Sequence, residues 1–145
     1  MAHDLRTEID IDASPERVWA ILMDFGAYPD WNPFIRSIEG DARRDGRLKV
    51  RIQPSGGRAM RFNPTVLAAE PSRELRWLGK LGVKGLFDGE HRLVLEALPN
   101  GGTKFRQEEG FMGILVPLFR KSLEKDTRRG FVEMNEALKA RAEAS

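Results

Sequence analysis

Two histidines and no cysteine leave this chain few side chains able to do acid–base or metal chemistry. Without cysteine there are no disulfides, no thiol catalysis and no thiolate metal ligands. His3 stands beside the N-terminus, and no His, Asp and Glu residues recur at metal-ligand spacing, so no metal and no cofactor are expected. A serine–histidine–acid triad would have to use His91, and no serine sits in a nucleophile-elbow context. Gly79, Gly82 and Gly85 lack the Lys-Ser/Thr partner of a phosphate-binding loop and read instead as easing strand ends.

What remains is a polar trio in two alternating stretches. Side chains two apart on a strand share a face. If Phe105 and Phe111 point into the protein, Gln107 and Glu109 do so as well. On the stretch before it, Phe87, Leu93 and Leu95 would carry His91 inward with them. Asn100-Gly101 between the two stretches supplies the positive φ angles of a tight hairpin turn, which makes them neighbours. An inward carboxylate needs a partner, because charge in an apolar setting is expensive. His91 and Glu109 could partner each other in a structural network or at a wet cavity mouth. They could also anchor a ligand's polar group, or act as a general acid/base pair.

These residues need a frame, and its centre is the last stretch, 115–141. Pro117 suits the first turn of a helix. At roughly 100° per residue, Phe119, Leu123, Thr127, Gly130, Phe131, Met134, Ala137 and Leu138 fall inside one arc of about 120°. Lys121, Lys125, Arg128, Glu136 and Lys139 occupy the opposite side. The pattern predicts one amphipathic helix of about seven turns. Glycine in a helix interior costs about 1 kcal/mol relative to alanine, so Gly130 inside the buried arc calls for a reason. The expectation is that it borders a cavity.

Upstream, 5–11 alternates as a half-buried strand, and Ser14-Pro15-Glu16 opens a short helix that Gly26 stops. Tyr28-Pro29-Asp30-Trp31-Asn32-Pro33-Phe34 is too rich in proline and aromatics for a solvated loop. It is expected to cover one end of the cavity with Trp31 partly facing inward. Strands separated by turn residues follow, at 35–39, 48–53, 60–69, 75–78, 87–97 and 103–111. The predicted class is α+β: a curved seven-stranded antiparallel sheet wrapped around the C-terminal helix, in a single domain over 1–145.

The order of elements, together with Ala13-Ser14-Pro15-Glu16-Arg17-Val18-Trp19, Tyr28–Ile35 and Glu109-Gly110-Phe111-Met112-Gly113, resembles the helix-grip fold of the SRPBCC or START-like superfamily, in its bacterial polyketide cyclase/dehydratase-like branch. The resemblance implies binding of a small hydrophobic molecule, such as a lipid, an aromatic polyketide or an isoprenoid, between sheet and helix. The alternative it implies is a cyclase- or dehydratase-type enzyme using a polar pair in the same cavity. A protein-contact module with a vestigial cavity is a third reading, which an exposed apolar patch would mark. Candidate ligand-binding residues are Trp31, Phe34, Trp77, Phe87, His91, Phe105, Gln107, Glu109, Phe111, Phe119, Leu123, Gly130, Phe131 and Met134, with His91 and Glu109 the candidates for catalysis.

Composition sets the outer bounds. Hydrophobic residues make up 41% and charged residues 32%, as in ordinary globular domains. Lysine and arginine number 24 against 22 acids, too even a balance to argue for nucleic acid. Arg43, Arg44, Arg47, Lys49, Arg51, Arg58 and Arg61 cluster around one hairpin without interleaved aromatics, as on a solvated sheet face. No run approaches the roughly 18 apolar residues of a membrane span, so no integral membrane association is expected, and a cytoplasmic location is.

Overall fold

The computed structural model describes residues 2–80 and 83–144. Gly82, named above among the strand-easing glycines, lies outside the described residues. The chain runs β1 (Ala2–Ile11), α1 (Pro15–Met23), a 3-10 turn (Phe25–Ala27) and α2 (Tyr28–Trp31). Then come β2 (Ile35–Gly40), β3 (Leu48–Ile52), β4 (Met60–Phe62), β5 (Thr65–Glu70), β6 (Glu74–Lys80), β7 (Asp88–Ala97) and β8 (Thr103–Met112). It closes with α3 (Val116–Ser122), a π-helical turn (Leu123–Thr127) and α4 (Arg128–Glu143). The class is α+β with an antiparallel sheet gripping a long C-terminal helix, as expected.

Five strands pair in the order β1-β8-β7-β6-β5 and three in the order β2-β3-β4. The two sheets meet at a corner. There Leu48 N donates to Pro64 O at 3.0 Å, and Val66 N donates to Gly46 O at 2.8 Å. The single strand expected over 60–69 is therefore two strands, β4 and β5, separated at Asn63-Pro64. Pro64 has no N–H for a ladder, and the break lets one stretch serve β3 first and β6 afterwards.

Local sequence explains the ends of the elements. Ser14 Oγ caps α1 by accepting from Arg17 N at 3.2 Å, with Pro15 in the first turn. The α-helix ends at Met23, and Gly26 lies within the 3-10 turn beyond it. Pro117 stands in the first turn of α3. At the far end, α4 is tied to β1 and α1: Lys139 Nζ donates to Asp10 O at 2.9 Å, Asp12 N to Glu143 Oε2 at 2.8 Å, and Arg17 Nε to Ala142 O at 2.5 Å.

The core lies between the concave sheet face and α4. Leu5, Ile11, Leu75, Leu93, Phe105, Phe131, Met134 and Leu138 are all at most 1% exposed, so this end of the molecule is solid. No described helix is long and apolar enough to cross a membrane.

Candidate ligand cavity

The other end is hollow. A cavity of about 540 Å³ opens between the 52–62 stretch, the ends of β6, β7 and β8, and the segment from Phe119 to Thr127. Its floor is formed by Phe34, Trp77, Gly89, His91, Phe111 and Leu123, all buried, with Glu109 beside them. Arg58, Met60, Arg61, Lys80 and Ser122 are exposed and form the mouth. A depression of about 830 Å³ on the outer sheet face is larger, but charged side chains such as Glu74, Arg92 and Arg106 make up most of its lining. It offers no apolar enclosure.

The helical wall of the cavity is α3 and the π turn, not α4. Leu123, Asp126 and Thr127 all belong to the turn, whose wider winding interrupts the regular ladder where the helix passes the cavity. Phe87 joins this wall to the sheet by packing edge-on against Phe119 at 5.1 Å and tilted against Phe111 at 5.6 Å.

The sheet supplies the polar floor. His91 stands directly opposite Glu109 in the β7–β8 register and opposite Trp77 in the β6–β7 register. Its Nδ1 lies 3.1 Å from Glu109 Oε1, and its Nε2 lies 2.9 Å from Gln107 Oε1. Trp77 and Phe131 flank the imidazole with ring centroids 4.9 and 5.1 Å away. Gln107 Nε2 donates to Asn135 Oδ1 at 2.9 Å and to Phe131 O at 3.4 Å. Asn135 Nδ2 in turn donates to Thr7 Oγ1 at 2.9 Å. The Thr7 hydroxyl donates to Gln107 O at 3.4 Å.

Donor and acceptor rules fix the protons along this chain. Gln107 uses its amide nitrogen on Asn135 and Phe131, so its Oε1 must accept, and His91 Nε2 must carry a hydrogen. His91 Nδ1 and Glu109 Oε1 approach to 3.1 Å, within ion-pair distance, and among the described residues no donor is hydrogen-bonded to Glu109 Oε2.

Gly89 makes room for this arrangement. A Cβ there would collide with Glu109 Oε2 and come within 3.3 Å of the carboxyl carbon. Gly89, Asn135 and Thr7 are neighbours of the polar trio that sequence reading missed. Asn135 falls one helical turn after Phe131 and just outside the predicted apolar arc, a polar residue beside a buried stripe. That was the available signal.

Of the residues named from sequence, the cavity gathers Phe34, Trp77, Phe87, His91, Glu109, Phe111, Phe119 and Leu123. Gln107 and Phe131 lie behind the floor in contact with His91, while Phe105 and Met134 belong to the solid core. These four do not line the cavity, and two further expectations need correction. Trp31 does not face the cavity; it lines a surface groove with Ala20, Ile21 and Arg141. Residues 28–31 form a helical turn in which Trp31 packs on Tyr28 at 5.2 Å. Asn32 Oδ1 then accepts from Phe34 N and Ile35 N at 2.9 and 2.8 Å, turning the chain so that Phe34 alone of this segment reaches the floor. Gly130 does not border the cavity either. The Phe34 ring fills the space above it, and a Cβ would fall 2.6 Å from Phe34 Cε1 and nearer still to Cδ1.

Val83, Ile114 and Leu118 are 67%, 72% and 75% exposed. Leu118 precedes the cavity residue Phe119 in the chain.

Residues 2–143 match the family model described as polyketide cyclase / dehydrase and lipid transport. No curated protein matches the chain in sequence. Among solved structures, a START superfamily protein from Mycobacterium smegmatis is 23% identical, with a TM-score of 0.74 and 97% of each chain covered. The Zhui aromatase/cyclase from Streptomyces sp. R1128 is 16% identical, with a TM-score of 0.79, 99% of this chain and 94% of that one covered. The di-domain ARO/CYC protein BexL, from the BE-7585A biosynthetic pathway, is 12% identical, with a TM-score of 0.79 and 99% of this chain covered. The chain spans about half of BexL, 51% of its length. At these identities the likeness establishes the fold and leaves the chemistry to the residues of this chain.

Proposed function

We propose that this chain, which belongs to the polyketide cyclase / dehydrase and lipid transport family, binds a small hydrophobic molecule in the cavity between sheet and helix. A lipid, an aromatic polyketide or an isoprenoid fits that description. What supports this is the cavity itself: about 540 Å³, walled by Phe34, Trp77, Phe87, Phe111 and Phe119, with few polar groups at its floor. Ligand pockets commonly span about 300–1,000 Å³ with this mixture of apolar walls and a few convergent polar atoms. The test is native mass spectrometry after gentle purification, paired with titration of the neutral fluorophore N-phenylnaphthylamine. A retained small molecule or saturable probe binding is expected. Protein that retains nothing and binds no probe would refute the reading.

A second reading, a cyclase- or dehydratase-type enzyme, is favoured by the His91–Glu109 pair beside the cavity. Glu109 Oε2 can take a proton from a carbon flanked by carbonyls and hand it to a departing hydroxyl, which leaves as water. Glu109→Gln would then abolish turnover of a poly-β-keto model compound while keeping probe binding. Turnover that survives the substitution would remove Glu109 as the base.

A further inference from the structure

We infer that the buried end of the cavity receives a hydroxyl group, on a phenol or an alcohol, carried by an otherwise apolar ligand. The inference rests on the binding function proposed above and names the ligand class for that same site. Three observations support it. First, Glu109 Oε1 lies 3.1 Å from His91 Nδ1, while Oε2 lies over Gly89 beside the cavity floor and among the described residues none donates to it. Second, Gln107 is taken up by His91, Asn135 and Phe131, so the buried polar chain turns no free donor toward the cavity, and the polar group that faces a ligand there is the Glu109 carboxylate. A ligand group meeting its Oε2 must therefore donate. Third, the charges run in one direction along the cavity. Among the described residues the only other carboxylate in the lining, Asp126, is paired with Arg129 Nη2 at 3.1 Å, while the cations Arg58, Arg61 and Lys80 stand exposed at the mouth.

A free carboxylate at the floor would meet an acceptor with no hydrogen to offer it. Carboxylate-bearing molecules would be held with their anion toward the mouth. A hydroxyl donates to Glu109 Oε2 without requiring any charge to be buried. Gly89 is what allows this, since any side chain there would displace the carboxylate from its place.

Displacement of N-phenylnaphthylamine from the full chain by naphthalene, naphthol and naphthoate tests this. Naphthol should bind roughly ten- to a hundredfold more tightly than naphthalene, the range of a hydrogen bond to a charged group. Naphthoate should gain nothing over naphthalene. Glu109→Leu should erase the naphthol gain. Glu109→Gln, which keeps an acceptor oxygen, should retain part of that gain and tighten naphthoate relative to the unaltered chain. Naphthoate binding as tightly as naphthol in the unaltered chain overturns the inference even if neither variant folds. A naphthol gain that persists in Glu109→Leu overturns it too. If the fluorophore itself does not bind, the binding function fails and the inference falls with it.

Discussion

The ring of Phe34 occupies the space that a side chain at Gly130 would need. Phe34 also packs edge-on against Phe131 at 5.5 Å, and it forms part of the cavity floor. The glycine thus brings the helix backbone onto the ring and lets the floor close. Gly130→Ala would gain helix propensity of about 1 kcal/mol but must displace a fully buried ring. Overpacking of this kind costs about 1–3 kcal/mol. A lower denaturation midpoint with an unchanged slope is the expected outcome, and Gly130→Leu should lose more.

Gly89→Ala acts on the site and not on the core. Its Cβ would meet the mobile end of Glu109, which can swing away, so stability should change little. The contact between Glu109 and His91 would open. A changed imidazole NMR signal for His91, with probe binding retained, is the expected result. An unaltered signal would show that the carboxylate does not depend on the glycine.

Asn135 links Gln107 to Thr7 in the buried chain and is 2% exposed. Asn135→Ala leaves Gln107 Nε2 short of its better acceptor and Thr7 Oγ1 without its donor. A buried polar group left unpaired costs about 1–3 kcal/mol. Denaturant unfolding should show a loss in that range, larger than for Glu136→Ala on the exposed side of the same helix.

Tyr28 is the chain's single tyrosine, buried, with its hydroxyl donating to Leu22 O at 2.8 Å. Burial pushes its pKa far above the ordinary value of about 10. The unfolded chain therefore loses this proton at a lower pH than the folded one. The sign follows from linkage: below about pH 10 the group adds no pH dependence, and above it stability declines as pH rises. Phenolate absorbance should consequently appear together with loss of the fold, not ahead of it. Ionisation at the ordinary pKa in folded protein would contradict the burial of Tyr28.

On the outer sheet face, burial by itself would raise the pKa of Glu74, but hydrogen bonds from Arg76 at 2.6 Å and Arg92 at 3.3 Å bring it below the ordinary value. A depressed carboxylate stabilises above its unfolded pKa of about 4.3, and that contribution is lost as pH falls through the folded value. Glu74→Gln should cost no more than about 1 kcal/mol at neutral pH, because solvent screens the cluster. The difference from the unaltered chain should vanish in acid.

Strand periodicity and hairpin chemistry were enough to place His91, Gln107 and Glu109 on one inner face. Parity on a strand is a local property, and a turn at this point was enough to make β7 and β8 neighbours. The tight turn expected of Asn100-Gly101 is instead a loop over 98–102 in which Gly101, and not Asn100, has a positive φ of 89°. The same local rules located the Ser14 cap, the Pro117 start and the long C-terminal helix. Tertiary structure decided what a uniform 3.6-residue repeat cannot express. The π turn at 123–127 widens the helix beside the cavity, and Asn135 meets the buried polar chain from just outside the predicted arc. Trp31 and Phe34 stand three residues apart with equal claims to an interior place, and Asn32 turning the backbone sends only Phe34 inward. Whether the space over Gly130 was empty or filled depended on that ring, which approaches from nearly a hundred residues away in the chain. Periodicity reports which face of an element is buried. Where the buried space is left hollow is settled only when segments distant in sequence meet and either fill the gap or fail to.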